Sequence, residues 1–310
     1  MEILDYKFGD ELKILDLFEL VFKKRITYDY WKWRFLDNPL NIILIKLMWD
    51  KEMLVGHYAV SPIHLNYKNK ILISGLSMTT MVHPNYNGLG IFPQLANSLY
   101  KELTNKNINL VWGFPNPNSH KTFIKYLGWN NISLIPILSF ELDKSTPKFN
   151  ISIKKIMKFE HKHSNRYQEL FQNYNFSINK NIDYLNWRYT LCPTTKYIIL
   201  EIDDYTGSFI VCKEYTNNNN TKQIDIVEWC VEEDFKLTNS IINHLSYIFS
   251  RSIYNFLNIW LPLNNIRHIH FEQIGFINTL PLTYFCVKHN DEEILQERSC
   301  WIQLGDSDVY

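Results

Sequence analysis

The chain contains little of several features that mark particular classes of protein. Its 310 residues include only 10 glycines, 11 prolines and 5 cysteines, and 32 basic residues balance 32 acidic ones. A zero net charge without dense basic stretches offers no path for a nucleic-acid backbone. The apolar runs also fall short of the roughly 18 residues that a membrane-spanning helix needs. We therefore expect neither a nucleic-acid partner nor a membrane span.

The cysteines and histidines are too scattered for a disulfide framework or a metal site. The cysteines are odd in number and form no C-x-x-C pair, which is typical of free thiols. The pairs His161 with His163 and His268 with His270 lack cysteines or carboxylates at ligand spacing, so we expect no metal. Met1 to Leu12 carries acidic residues where a targeting segment would be basic, which predicts a cytoplasmic protein.

What the chain does have is enough apolar surface for a large core, and a repeated motif. Hydrophobic residues make up 46% and aromatic residues 15% of it, which excludes a disordered chain. The segments DYWKWRFLDNP, residues 29–39, and DYLNWRYTLCP, residues 183–193, share Asp, Tyr, Trp, Arg and Pro at the same spacing. The repeat predicts two similar units in a chain whose length suits one large domain or two of about 150 residues.

Each copy of the motif is followed by the same order of predicted elements. A pair of strands comes first, then a strand, a helix, a strand and a short helix that ends at Gly128 or Gly275. The longer helices carry apolar residues at helical spacing. These residues are Ile91, Leu95, Leu99 and Leu103 in the first half and Leu237, Ile241, Leu245 and Ile248 in the second. With a boundary in the polar stretch 143–150, the expected fold class is α/β (α+β), with units at 1–145 and 146–310 that each have a mixed, mostly antiparallel sheet flanked by helices.

Only the first half has a glycine loop between a strand and its long helix. The segment HPNYNGLG, residues 83–90, contains Gly88 and Gly90, whereas the second half passes directly from strand to helix. Glycine adopts positive φ and lets another group approach the backbone closely. With Pro93 tolerated in the first helical turn, the loop would aim several N–H groups at one point, which suits an anion. A tight connection that binds nothing is the alternative.

Two other phosphate-binding loops are excluded by what the segment lacks. A dinucleotide fingerprint needs a third glycine, and Pro93 stands at that position. A nucleoside-triphosphate loop needs Gly-Lys-Ser/Thr, which does not occur in the sequence.

The loop resembles the acyl-CoA loop of the GNAT acyltransferase superfamily, (Q/R)-x-x-G-x-(G/A), here Asn85, Gly88 and Gly90. The segment GFPNPNSHKTFIKYLGW, residues 113–129, resembles the later strand, asparagine turn and closing helix of that superfamily. The resemblance implies acyl-CoA as co-substrate, with the strand from Thr79 to Val82 beside the pantetheine arm. The implied cofactor-binding residues are Met81, Val82, Asn87, Gly88, Leu89, Gly90, Ile91, Asn118 and Phe123.

The chain departs from the superfamily pattern at three positions. Asn87 stands where arginine is frequent and Asn85 where glutamine or arginine is usual, so the backbone must do more of the binding. The usual tyrosine falls on Ile124, and the common general acid is therefore absent.

The candidate catalytic residues are His120, His83 and Glu228. A histidine side chain has an ordinary pKa of about 6.5, which suits taking a proton from an amine; His120 follows the turn NPNS and is our first choice. Position in a surface helix for His120, capping of a turn for His83 and a solvated strand face for Glu228 are the alternatives. Asn116 and Asn118 are expected to cap a helix, with contact to pantetheine as an addition.

The repeated Trp33-Arg34 and Trp187-Arg188 pairs have two interpretations. Repetition favours buried structural pairs, but an arginine beside an aromatic ring also binds phosphate and sugar, and Trp33 and Arg34 are our candidates for substrate binding. Asp306 and Asp308 belong by default to a disordered tail, although Trp301 and Tyr310 favour a docked one.

As a whole the chain resembles a tandem GNAT protein with one surviving cofactor loop, most like bacterial N-acyltransferases of dTDP-linked amino sugars for surface polysaccharides. This implies an acyl-CoA-dependent N-acyltransferase with two GNAT-like units and an acceptor site to which the second unit contributes. An amino acid, peptide or other small amine is the alternative acceptor. An acyl-CoA-binding module without turnover is the alternative without catalysis, favoured by the missing tyrosine.

Overall fold

The structure, a computed structural model, describes residues 1–147, 151–217, 219–289 and 299–307. After each copy of the repeated motif, the strands and helices follow in the order that the sequence predicts. The strands are β1 (Glu2–Asp5), β2 (Ile45–Asp50), β3 (Met53–Tyr67), β4 (Lys70–Val82), β5 (Leu110–Gly113), β6 (Asn130–Glu141), β7 (Ile153–Ile156), β8 (Phe176–Ile178), β9 (Ile198–Ile202), β10 (Phe209–Thr216), β11 (Lys222–Cys230), β12 (Phe256–Trp260) and β13 (Ile277–His289). The helices are α1 (Glu11–Phe22), α2 (Tyr28–Phe35), α3 (Ile91–Asn105), α4 (Pro117–Leu127), α5 (His161–Phe171), α6 (Ile182–Leu185), α7 (Phe235–Ser250) and α8 (Ile266–Ile274).

The first compact unit consists of Met1–His64, Leu72–Ile132 and the end of β13 from Tyr284. Its strands are ordered β1-β2-β3-β4-β5-β13. β4 pairs with β5 in parallel, and β1 with β2, β2 with β3 and β5 with β13 are antiparallel. Side chains alternate between the two sheet faces, so Met48 packs in the core below α3 while its neighbour Leu47 packs in the core below α1 and α2.

Helix α3 lies on the sheet through the face that the sequence predicts. Ile91, Leu95, Leu99 and Leu103 are all buried in one apolar core. A Cβ added to Gly56 of β3 would stand 2.5 Å from Cγ2 of Ile91, so this glycine lets the start of the helix approach the sheet closely. The packing therefore fixes the position of the loop that precedes α3.

The second compact unit contains Leu65–Ile71, Ser133–Thr283 and the C-terminal stretch. β6, β12, β11, β10, β9 and β7 follow one another in its sheet, and β8 pairs with the end of β3. β11 and β12 are parallel, as β4 and β5 are in the first unit. On α7 the predicted face is buried except at Ile248, which is 36% exposed. The prediction for Ile248 is wrong because the buried stripe continues instead through Phe249.

The fold class predicted from the sequence is confirmed: the structure is a mixed α/β fold whose helices flank mixed sheets. Gly128 and Gly275 end α4 and α8 in the left-handed conformation, as expected. The division into 1–145 and 146–310 stays a prediction, and residues 148–150 beside that boundary lie outside the described residues. In the described part of the chain, no helix combines the length and the apolar composition needed to cross a membrane.

Candidate active site

The glycine loop of the first unit joins the end of β4 to the start of α3. After β4 a single 3₁₀ turn covers Pro84–Tyr86. Gly88 and Gly90 then adopt φ of 81° and 69°, a region open to glycine at no steric cost. Tyr86 anchors the loop because its hydroxyl donates to Oδ2 of Asp50 at 2.7 Å. The two glycines are therefore required by the path of the backbone.

The geometry of the loop suits an anionic ligand. The backbone N–H of Gln94 donates to the Gly90 carbonyl at 3.2 Å as the first bond of α3, so the earlier N–H groups have no acceptor within the helix. A Cβ placed on Gly88 would meet nothing within 4 Å, and Leu89 is 54% exposed. A pyrophosphate therefore has room beside the exposed backbone, where the helix dipole adds about 0.3 to 1 kcal/mol per charge.

The other predicted cofactor-binding residues lie in three places: in this loop, at the end of β4 and in the apolar core. Met81 is buried and Val82 half-buried at the end of β4, and Asn87 is exposed. Ile91 begins α3 and packs into the core. Phe123 is also a core residue, with ring centroids 5.0 Å from Phe92 and 4.6 Å from Trp129.

Helix α4 begins at the asparagine turn that the sequence predicts. The Oδ1 of Asn116 accepts from the backbone N–H of Asn118 and of Ser119, each at 3.0 Å, which confirms Asn116 as the helix cap. Asn118 is exposed and caps no helix through its side chain.

His120, in the first turns of α4, is held by partners that the sequence does not predict. Its Nε2–H donates to Oδ1 of Asn131 at 2.6 Å, and its ring stacks on Tyr284 with centroids 3.9 Å apart. Asn131 Oδ1 also accepts from the Cys286 thiol at 3.1 Å. With the proton of the neutral ring on Nε2, the basic lone pair is on Nδ1. The residue is half-buried.

His83 lies at the end of β4 and caps the following 3₁₀ turn, the alternative that the sequence allowed. Its Nδ1 accepts from the Asn85 N–H at 3.2 Å. The lone pair of the neutral ring is therefore engaged, and Nε2 carries the proton. As the structure stands, His83 is less suited than His120 to accept a proton from an amine.

Glu228 lies in the second unit, on β11, and is fully buried. The solvated strand face that the sequence allowed is therefore wrong. Its carboxylate accepts from the Tyr189 hydroxyl at 2.6 Å and from Gln303 Nε2 at 2.9 Å, and it pairs with Lys180. Burial raises the pKa of Glu228, against the opposing pull of Lys180. Both carboxylate oxygens are thus engaged within the unit.

The C-terminal stretch docks in this second unit, as the aromatic residues near it suggested. Trp301 stacks on Phe171 with centroids 4.4 Å apart, and Asp306 pairs with Lys180 at 2.6 Å. Gln303 Oε1 accepts the backbone N–H of Trp229 at 2.5 Å. Asp308 and Tyr310 lie outside the described residues.

Both Trp-Arg pairs are buried, the first in α2 and the second in a π-helical turn, Asn186–Thr190, that directly follows α6. Trp33 and Arg34 are 5% and 3% exposed, and Trp187 and Arg188 are 5% and 2% exposed. The guanidinium of Arg188 donates to the Gly305 carbonyl and to the Tyr197 hydroxyl. Equal burial of the two copies favours the structural interpretation, and phosphate binding by Arg34 stays a prediction.

Sequence reasoning missed His57 and the unusual backbone conformation of Thr79, both in the first unit beside the predicted site. His57 of β3 donates from Nδ1–H to the carbonyl of Thr79 at 2.7 Å, and Thr79 has a φ of 50° inside β4. No local pattern distinguishes either residue from its neighbours. Within the described ranges, no group of three or more His, Cys, Asp or Glu residues is arranged to hold a metal ion.

Comparison with known families finds a similarity within the first half of the chain. Residues 3–132 match the family described as the acetyltransferase (GNAT) domain. No curated protein matches the chain.

Solved structures share the fold over most of the chain at low identity. A GCN5-related N-acetyltransferase from Anabaena variabilis superposes with a TM-score of 0.71 and 11% identity, over 92% of this chain and 72% of its own. A probable N-acyltransferase from Enterococcus faecalis gives 0.68 and 13%, over 93% and 72%. Saccharomyces cerevisiae N-myristoyltransferase with bound myristoyl-CoA gives 0.66 and 10%, over 93% and 78%. These structures show the fold.

Proposed function

We propose that the protein is an acyltransferase of the GNAT type that acylates the amine of a nucleotide-linked amino sugar. The match of residues 3–132 to the acetyltransferase (GNAT) domain supports the reaction type. The acyl donor is acyl-CoA, and the product serves surface polysaccharide synthesis in the cytoplasm. The observation that carries the proposal is the loop of Gly88 and Gly90 between β4 and α3, with open space beside its backbone.

The loop binds the pyrophosphate of acyl-CoA through backbone N–H groups. Asn87 brings no charge to the loop, so the N–H groups at the start of α3 and the dipole of its 15 residues supply the attraction. The half-buried strand residues Thr79, Thr80 and Val82 flank the thioester end of the co-substrate. Only the first half of the chain carries such a loop, so the proposal gives one acyl-CoA site per chain.

Acyl transfer then requires one proton acceptor and good positioning. The amine nitrogen attacks the thioester carbonyl carbon, the carbon–sulfur bond breaks, and CoA leaves as the thiol after taking up a proton. Nδ1 of His120 takes the proton that the amine loses, because the hydrogen bond from Nε2–H to Asn131 leaves the lone pair of the neutral ring on Nδ1. A general base contributes about 10² to 10⁴ in rate, and orientation of the two reactants contributes about 7 to 11 kcal/mol.

The acceptor class rests on the resemblance of the paired Trp-Arg motifs and of the C-terminal segment to nucleotide-sugar N-acyltransferases. An amino acid, a peptide or another small amine remains the alternative acceptor. An acyl-CoA-binding module without turnover is the second candidate, because Ile124 stands at the position of the usual general acid.

A thiol-release assay separates these proposals. Acetyl-CoA and longer acyl-CoAs are each offered with dTDP-linked amino sugars, free amino sugars, amino acids and short peptides, and CoA binding is measured in parallel by calorimetry. Turnover that is at least about tenfold faster with the nucleotide-linked sugars supports the proposal. Faster turnover with another amine supports the alternative acceptor. Binding of CoA without thiol release for every amine supports the binding module.

A further inference from the structure

One residue of β4 has a backbone conformation that its side chain disfavours. Thr79 has a φ of 50°. The other non-glycine residues with positive φ in the described part of the chain are all lysine or asparagine. Positive φ is a genuine outlier for a β-branched residue, and it persists only where the surrounding structure enforces it. Some neighbour must therefore hold Thr79 in place.

His57 of β3 is that neighbour. Its Nδ1–H donates to the Thr79 carbonyl oxygen at 2.7 Å. The imidazole is fully buried, with the ring of Phe35 standing edge-on to it at 6.2 Å between centroids. Burial lowers the pKa of His57 to about 4, with the bond to Thr79 opposing that shift. The ring is therefore neutral at pH 7, and its single proton is on the nitrogen that bonds to Thr79.

An imidazole at this position stabilises the fold less than an apolar side chain of the same size would. Its Nε2 is buried and has no hydrogen-bond partner among the described residues. An unpaired buried acceptor destabilises the folded chain, and a leucine of similar size would avoid that loss. The bond to Thr79 is therefore the contribution that a leucine would not make.

That bond also fixes the direction of a donor. The peptide unit is planar and trans, so the N–H of Thr80 points away from the Thr79 carbonyl that His57 holds. β4 pairs with β5 at Gly75 with Val111 and at Leu76 with Trp112. Both pairs precede the Thr79–Thr80 peptide in β4. The five residues before Thr79 are buried, whereas Thr79 and Thr80 are half-buried. The oriented N–H thus lies where the strand becomes accessible.

We infer that His57 is a positioning residue, which holds the Thr79–Thr80 peptide so that the Thr80 N–H donates to the carbonyl oxygen of the acyl thioester. This inference rests on the proposed function. A fixed backbone donor stabilises the negative charge that develops on that oxygen, and its benefit depends on its orientation before the reaction. His57 acts through Thr79 and touches no reacting atom.

Four variants test the inference: His57→Leu, His57→Asn, Thr79→Gly and the double variant His57→Leu with Thr79→Gly. His57→Leu removes the donor, and we expect kcat to fall at least about tenfold while the Kd for CoA changes less than about twofold. His57→Asn keeps an amide N–H near the position of Nδ1, and kcat should stay within about threefold of the unmodified chain.

Glycine adopts positive φ without support, so the effect of His57→Leu should shrink in the Thr79→Gly background to less than about threefold in kcat. The matched control is His268→Leu, because His268 is also buried and also donates from Nδ1 to a backbone carbonyl, that of Leu261 at 3.0 Å. His268→Leu should leave kcat within about twofold. Equal losses in His57→Leu and His57→Asn, or an undiminished loss in the glycine background, would overturn the inference.

The same variants distinguish failure of the inference from failure of the proposed function. Absence of CoA binding by the unmodified chain would remove the proposed function and, with it, the role of His57 in transfer. If CoA binds, the unfolding equilibrium reports the contact separately: His57→Leu and Thr79→Gly should be coupled by at least about threefold in the unfolding constant. If the effects of His57→Leu and Thr79→Gly on unfolding and on kcat are additive, His57 does not position the peptide, whereas the proposal of acyl transfer is unaffected.

Discussion

His120 lies face to face with Tyr284, with ring centroids 3.9 Å apart and planes inclined by 19°. Together with the 2.6 Å bond from Nε2 to Asn131, this stacking holds the imidazole in one orientation and one tautomer. A base that is fixed before the substrate arrives loses no conformational freedom during the reaction. Tyr284 is far from His120 in sequence, in the second half of the last strand, yet it belongs to the same compact unit.

Replacement of His120 should slow transfer without weakening acyl-CoA binding. In His120→Gln a side-chain N–H still reaches Asn131 but no group accepts a proton, so we expect kcat to fall by about two orders of magnitude or more. His120→Ala should fall at least as far, and the Kd for CoA should change little in both variants. His161→Gln, at an exposed histidine that begins α5, is the control. A loss below tenfold would remove His120 from the role of base.

The glycine loop should tolerate a side chain for folding but not for CoA binding. A Cβ on Gly88 meets nothing within 4 Å, so Gly88→Ala costs only the strain of positive φ, about 1 kcal/mol. The same Cβ would occupy the space into which the pyrophosphate must come, and we expect the Kd for CoA to rise at least about tenfold. Calorimetry measures this directly.

Gly9 provides a matched control for that substitution. It has a φ of 104° and equally open space around its Cβ position, in the turn before α1. Gly9→Ala should therefore lose similar stability and bind CoA as the unmodified chain does. If both alanine variants bind CoA normally, the loop is only a tight connection.

The features that the sequence predicts are those set by neighbouring residues. Apolar spacing locates α3, and the glycines at 88 and 90 predict a left-handed loop because few other residues adopt that conformation. The order of strands and helices in the two halves follows from the same local signals. Asn116 is predictable as a cap because an asparagine side chain can accept from backbone N–H groups two and three residues ahead, as it does here.

The features that the sequence does not predict depend on contacts distant in the chain. Threonine favours extended backbone, so nothing local indicates that Thr79 has positive φ. The orientation of His120 depends on Tyr284, which pairing of the last strand brings to β5. Glu228 reads locally as an ordinary strand residue, and its burial follows from Lys180 and from a C-terminal segment that no pattern connects to it.

Stability should fall between pH 7 and pH 5 because of His57. Its pKa in the folded chain is about 4, below the ordinary value of about 6.5 in the unfolded chain. The unfolded chain therefore binds more protons in this window, and the free energy of unfolding should decrease by about 2 kcal/mol on acidification from pH 7 to pH 5. His57→Leu should lack this contribution. Denaturant unfolding of both proteins at the two pH values measures the difference, and equal pH slopes would contradict it.

Lys180 should be the most important ion-pairing residue for the stability of the second unit. It is fully buried between Glu228 and Asp306. Burial alone would lower the pKa of Lys180, but the charges of Asp306 and Glu228 outweigh it and raise that pKa. Lys180→Met leaves two carboxylates buried together without a counter-charge, and we expect a loss of about 3 to 5 kcal/mol in the free energy of unfolding.

A surface lysine in the same unit tests whether burial is the cause. Lys154 pairs with Asp203 at 2.7 Å, and its side chain is 53% exposed. Because water screens exposed pairs, Lys154→Met should cost less than about 1 kcal/mol. The C-terminal segment depends on Lys180 through Asp306, so Lys180→Met should also make the chain near residue 306 more accessible to proteases in the folded state. Similar losses of stability in the two methionine variants would show that the buried cluster contributes no more than a surface ion pair.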